Sequence, residues 1–215
     1  MKRLIVLTTL IAAVAGGSAA FAGTNGFYVP NFRGQAGTSA GYWESFTVGI
    51  GAPGNKANFG NDNTSILTQT AQGALVVGSG NIYNQPNASA FILSYSGSGP
   101  LGTVVLQTRT AGTELDYGSV SLNYGSGILS ATRTELDRAV FGAPGQGFSV
   151  SSAWQWDLSP YNVSSFTIDF KASGPSLSFD SATLDTQVVP EPQTWALAGL
   201  GLGALGLVQW RRSRR

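Results

Sequence analysis

Apolar and polar residues alternate with a period of two in short runs along the middle of the chain. In Ser165–Lys171, Phe166, Ile168 and Phe170 alternate with Ser165, Thr167 and Asp169. Successive strand residues face opposite sides, so this pattern predicts a half-buried strand. Gly118–Tyr124 repeats it, with Val120, Leu122 and Tyr124 on one face and Ser119, Ser121 and Asn123 on the other. Tyr42–Ile50 and Phe148–Trp156 are rich in aromatic and β-branched residues, which favour strands. Ser65–Gln69, Ala74–Val77 and Leu177–Leu184 are further candidates, while Ser89–Tyr95 and Thr103–Thr108 are apolar enough to lie between two sheets. Gly and Pro punctuate the gaps, as at Gly97–Pro100, Gly142–Gly145 and Gly174–Pro175. About nine short strands predict an all-β fold: one β-sandwich over residues 23–188, with a jelly-roll winding preferred as a common two-sheet solution. Thr134–Ala139 reads as a single helical turn capped by Thr134. Gly51-Ala52-Pro53-Gly54 recurs as Gly142-Ala143-Pro144-Gly145, and Thr113-Glu114-Leu115-Asp116 as Thr134-Glu135-Leu136-Asp137. The two spacings differ, so no repeat period follows and turn chemistry accounts for both.

Both ends of the chain break the alternation. At the start, Lys2 and Arg3 precede an apolar run, Leu4–Val14, and Ala20-Phe21-Ala22 places small residues before Gly23. This predicts a signal peptide over residues 1–22, cut between Ala22 and Gly23 by signal peptidase after passage through the general secretion machinery. At the other end, Val189-Pro190-Glu191-Pro192 leads into Trp195–Trp210, a stretch whose one polar side chain is Gln209, followed by Arg211, Arg212, Ser213, Arg214 and Arg215. As a helix the apolar stretch spans roughly 24 Å, a short crossing of a hydrocarbon core of about 30 Å. Trp195 and Trp210 sit where amphipathic rings favour the headgroup layers, and the arginines hold their end in the cytoplasm. A transmembrane helix over residues 194–210 with a basic tail over 211–215 is expected. The two prolines fix φ, remove amide donors and bias their predecessors toward extended backbone, so residues 189–192 cannot continue the helix upstream.

These three parts, in this order, resemble a PEP-CTERM sorting signal: the Pro-Glu-Pro motif preceded by Val189, then a transmembrane helix, then a basic cluster. The resemblance is confined to residues 189–215. It implies bacterial export, recognition by an exosortase-type membrane transpeptidase, removal of the tail, and association with exopolysaccharide and biofilm matrix. The expected course is inner-membrane anchoring before processing, then the cell surface or the extracellular medium.

Composition narrows the chemistry. The chain has 215 residues, 29 glycines, 11% charged residues, and neither cysteine nor histidine. Disulfides, thiolate nucleophiles, Ser-His-Asp triads and His-ligated zinc are therefore excluded. Without the two end segments, six basic and ten acidic residues remain, a net charge of about −4, which argues against nucleic acid as a partner. What is left for catalysis is a carboxylate pair of the glycosidase kind, drawn from Glu44, Glu114, Asp116, Glu135 and Asp137. Solvated carboxylates on turns and strand faces are the simpler reading, and the protein is expected not to be an enzyme. Trp154 and Trp156 lie two apart on one strand face; exposed, they would form a sugar-stacking platform, and buried, they are core. Gly60-Asn61-Asp62-Asn63-Thr64 clusters oxygen ligands without EF-hand spacing. An Asx-rich turn is the simpler reading, with Asp62 as the ligand of a structural calcium as the alternative; no other cofactor is expected. The expected role is structural or adhesive within an exopolysaccharide matrix, with a carbohydrate-binding module as the alternative and a carboxylate hydrolase third.

Overall fold

A computed structural model describes residues 26–189. Its strands, in chain order, are β1 (Thr38–Trp43), β2 (Asn55–Lys56), β3 (Phe59–Gly60), β4 (Ile66–Gln69), β5 (Leu75–Val76), β6 (Ile82–Asn84) and β7 (Ala90–Ser96). There follow β8 (Leu101–Gly112), β9 (Ser121–Asn123), β10 (Ile128–Ser130), β11 (Thr132–Val140), β12 (Phe148–Asp157), β13 (Ser165–Lys171) and β14 (Leu177–Val188). One turn of 3₁₀-helix, Tyr117–Ser119, precedes β9. All pairings are antiparallel and fall into two sheets. The first runs β11-β12-β8-β14-β1-β3, with β6 on the same side of β14 as β1 and β5 beyond it. The second runs β10-β9-β13-β7-β4-β2.

The alternation in the sequence is what joins the sheets. Phe91, Leu93 and Tyr95 of β7 and Phe166, Ile168 and Phe170 of β13 are buried, while their strand neighbours are not. They pack on the first sheet through Phe179 of β14, whose ring centroid lies 4.5 Å from Phe91 and 5.8 Å from Phe170. Phe91 stacks on Phe170 at 5.0 Å and Tyr95 on Phe166 at 5.1 Å. Each such burial stabilises by about 1.5–3 kcal/mol, and the ring pairs add about 0.5–1.5 kcal/mol.

The two-sheet architecture matches the expectation, and β13 has the predicted bounds. Three details differ. Strand β1 ends at Trp43 rather than continuing to Ile50. Asparagine side chains replace the ladder there: Asn58 Oδ1 accepts from the amides of Glu44 and Ser45, and Asn55 Oδ1 from those of Thr47 and Val48. The start of Gly118–Tyr124 is taken up by the 3₁₀ turn, leaving a three-residue strand. Thr134–Ala139 is not helical but part of β11, whose register shifts between Glu135 and Asp137. The winding has the interleaving of a jelly roll, β1-β14-β8-β12 in the first sheet against β7-β13-β9-β10 in the second, with β4 added beside β7. Between β4 and β7 the chain crosses to the first sheet to form β5 and β6.

Strands β8 and β14 are buried on both faces. Their outer face is covered by residues 26–37, which cross it before β1 begins. The Gln107 amide bonds both ways to the backbone of Tyr28, accepting from its N at 3.0 Å and donating to its O at 3.0 Å, as a neighbouring strand would. Arg33 grips the fully buried Asp185 of β14 with two parallel bonds, Nε to Oδ1 at 2.5 Å and Nη2 to Oδ2 at 2.7 Å. Its guanidinium also lies over the Tyr42 ring, 5.0 Å from the centroid. Burial pushes the Asp185 carboxyl above its ordinary range and the Arg33 guanidinium pulls it back.

Candidate functional site

Two of the five candidate carboxylates come together, and a bulge is what brings them. Across antiparallel strands, directly opposed residues share a face. Arg133 is opposite Trp154, Glu135 opposite Ser152 and Arg138 opposite Val150, all on the core-facing side of β12. Strict alternation would put Arg138 on the other face from Glu135; the extra residue, Leu136, restores it. Arg133, Glu135 and Arg138 thus close the sandwich along its β11 edge.

Arg138 bonds Glu114 bidentately at 2.7 and 2.7 Å and Glu135 at 3.1 and 3.2 Å. Arg133 donates to Glu135 and to Ser152 Oγ, each at 3.0 Å, and its guanidinium lies 3.5 Å from the centroid of the Tyr117 ring. The Tyr117 hydroxyl donates to Glu114. Arg138, helped by Tyr117, holds the Glu114 carboxyl down at about 2. Burial and the Glu114 carboxylate push the Tyr117 phenol up to about 12. The Glu135 carboxyl is lowered by Arg138 and then Arg133.

This arrangement does not suit glycosidase chemistry. A general acid needs a carboxyl that keeps its proton near neutrality, and here both carboxyls are held ionised with an arginine between them. Glu44 and Asp137 are exposed, and Asp116 pairs with Lys171 at 3.7 Å. The cluster is instead a latch whose contribution depends on pH. Glu114 has a lower carboxyl pKa folded than its ordinary 4.5, so its stabilisation is complete above about 4.5, declines as pH falls toward about 2, and is gone below that. Discounted for solvent screening, it amounts to about 1 kcal/mol. Urea unfolding of the wild type and Glu114→Gln is expected to show a gap of about 1 kcal/mol at pH 7 that closes by pH 2; a gap constant with pH would sink this account.

Trp154 and Trp156 are in the core, at 1% and 3% exposure. The stacking platform they would have formed is therefore corrected to core packing: both point between the sheets, and Trp156 Nε1 donates to the Leu129 carbonyl. Asp62 is buried, and its carboxylate accepts from the amides of Thr64 and Ser65 and from both their hydroxyls. That is the Asx turn of the simpler reading. Among the described residues, no three His, Cys, Asp or Glu side chains converge as a metal site.

The junction with the tail is better defined. Strand β14 runs through the centre of the first sheet and ends at Val188, whose amide donates to the Gly37 carbonyl at 2.9 Å. Val189 donates to the Pro100 carbonyl at 2.8 Å. The backbone is thus held by the folded body to within one residue of Pro190. Pro190, Glu191, Pro192, Trp195, Trp210, Arg211, Arg212, Arg214 and Arg215 lie outside the described residues, as do Ala22 and Gly23 and the segments expected as signal peptide and transmembrane helix. Among the described residues no helix is long and apolar enough to cross a membrane.

Residues 188–215 match the PEP-CTERM protein-sorting motif. The chain ends in a PEP-CTERM sorting signal. The PEP-CTERM match begins at Val188, so the last residue of β14 is also the first of the motif. The motif marks the chain as an exosortase substrate, exported and carrying a membrane-anchored sorting signal. Proteins bearing it are the substrates in that reaction and not its catalysts. No curated protein matches the chain.

Proposed function

We propose that this is an exported surface or extracellular-matrix protein with a structural or adhesive role in an exopolysaccharide or biofilm matrix. The mature body runs from Gly23 to about Val188, after removal of a signal peptide at Ala22–Gly23. It is held at the inner membrane by residues 194–210 until an exosortase-type transpeptidase acts at or near Pro190–Pro192, and is then retained at the surface or released.

The observation that carries this reading is the absence of slack between fold and motif. With β14 ending at Val188 and Val189 bonded to Pro100, the sandwich stands directly on its sorting signal. The end that holds Pro100, Leu101 and Gly37 faces the membrane, and the end where β14 begins faces away. A rigid body presented in one orientation suits display better than turnover.

Intact mass of the protein from membrane and medium fractions of the producing cells tests it. A mass starting at Gly23 and lacking Arg211–Arg215 is expected, and replacing Pro190, Glu191 and Pro192 together by alanine is expected to leave nearly all of the protein tailed in the membrane fraction. A wild-type protein that keeps Arg211–Arg215 in every fraction would refute the proposal.

A further inference from the structure

The end of the sandwich opposite the tail carries a cleft of about 620 Å³, the size range of small-ligand sites. Its floor is the outer face of the first sheet where β6, β14 and β8 meet: Tyr83 lies opposite Ser178, and Ser178 opposite Ala111. One wall is the loop joining β11 to β12, which contributes Phe141 and Gln146. Two glycines allow that loop to fold down. Gly147 has φ +95°, and a Cβ there would lie 2.2 Å from the Gly112 carbonyl oxygen; Gly112 has φ +82°, and its Cβ would lie 2.6 Å from that of Ser176. Any other residue at either position would lift the wall off the floor.

The lining is specific in kind. It contains no acid and no Lys or Arg, but two aromatic rings with the hydroxyls of Thr113, Ser176 and Ser178 and the amide of Gln146. Among the described residues, neither the Tyr83 hydroxyl nor the Gln146 amide nitrogen has a protein partner. The Gln146 amide oxygen accepts from the Ala143 amide at 3.1 Å, and this leaves its NH₂ as a placed donor. In the wall, Phe141 is 43% exposed. Exposed rings beside neutral donors and acceptors offer apolar faces to C–H groups and hydrogen bonds to hydroxyls. Phosphate, a nucleotide or an acidic polymer would find no cation among these side chains.

The geometry points to this cleft as a binding site for a neutral oligosaccharide chain, with Phe141 and Tyr83 as the apolar contacts and Gln146 and Ser178 as hydrogen-bonding groups. Its position fits. Strand β14 spans about 35 Å from the cleft end to the tail end, so the site is held away from the membrane and toward whatever lies outside. The inference rests on the display reading above and names what the displayed end would hold.

The test uses the full chain in mild detergent, run on native gels cast with neutral glucans, mannans or galactans, or with an anionic polyuronate. Retardation by at least one neutral polymer is expected, with Phe141→Ala weakening it about tenfold and Tyr83→Phe by less. Ile128→Ala, at a more exposed apolar residue on β10 of the other sheet, is the control and is expected to behave as wild type. Because Phe141 is exposed on a loop, its truncation leaves the core untouched, and circular dichroism confirms that the variant is folded. No retardation by any neutral polymer, retardation by the polyuronate alone, or retardation that a folded Phe141→Ala keeps would each overturn the site. None of these outcomes touches the processing measurement, so the two readings fail separately.

Discussion

Asp185→Ala is expected to lower the free energy of unfolding by about 3–5 kcal/mol, as breaking one side of a buried ion pair does. The carboxylate is fully buried in β14, with a bidentate partner in Arg33, whose side chain is 12% exposed. Removing the acid leaves the guanidinium in a site with little water and one counter-charge fewer. Removing both charges is a different experiment. The pair carries its own desolvation cost, so Arg33→Met with Asp185→Leu is expected to recover most of the loss. Urea unfolding followed by circular dichroism reads both effects. Trypsin gives a second measure, because residues 26–37 are held on the sheet by this pair and by Gln107. In Asp185→Ala the bond after Arg33 is expected to be cut many times faster than in wild type. If the single variant is as stable as the double one, the pair does not hold the segment.

Trp43→Ala is expected to cost about 3–5 kcal/mol, from lost burial and the cavity left behind. Trp43 has no exposed surface, and its Nε1 donates to the Asn55 carbonyl at 2.8 Å. Asn55 is itself buried, and its side chain holds the amides of Thr47 and Val48. The indole therefore packs the core and also anchors the loop that replaces the end of β1. Trp154 is a useful contrast: it is as deeply buried, but its Nε1 has no hydrogen-bond partner. Phenylalanine is a closer replacement where no hydrogen bond is lost. Trp43→Phe is expected to cost about 1 kcal/mol more than Trp154→Phe. Equal losses would show that the bond to Asn55 contributes nothing net.

Much of the fold was legible residue by residue. β13 was visible because its one buried face leaves an unbroken Phe-Thr-Ile-Asp-Phe alternation. β12 and β7 were visible for similar reasons, within a residue of their ends. β11 was not: a bulge spoils a period of two, and Thr-Glu-Leu-Asp then reads like a helix start. The end of β1 misled in the opposite way, because strand-forming residues there are bound by asparagine side chains distant in sequence. The latch of Glu114, Glu135 and Arg138 was half legible. Both acids were candidates, but their partner arginine lies 24 residues from Glu114, and nothing local announces that contact.

The sequence alone determined what depends on local order: the absence of thiol and imidazole chemistry, the period of two that makes strands, and the contiguous tail signal that needs no fold to be recognised. The tertiary structure decided whatever depends on residues far apart in the chain. It put Trp154 and Trp156 inside rather than on a sugar-stacking surface. It turned two candidate catalytic acids into ion-paired edge residues. It laid residues 26–37 over a polar face, where Arg33 pairs with Asp185 and Gln107 with the backbone of Tyr28, and built a neutral cleft from four separate segments. The physical reason is the same in each case. Burial, pairing and pKa are properties of an environment, and in an all-β chain that environment is assembled from strands whose neighbours in space are seldom neighbours in sequence.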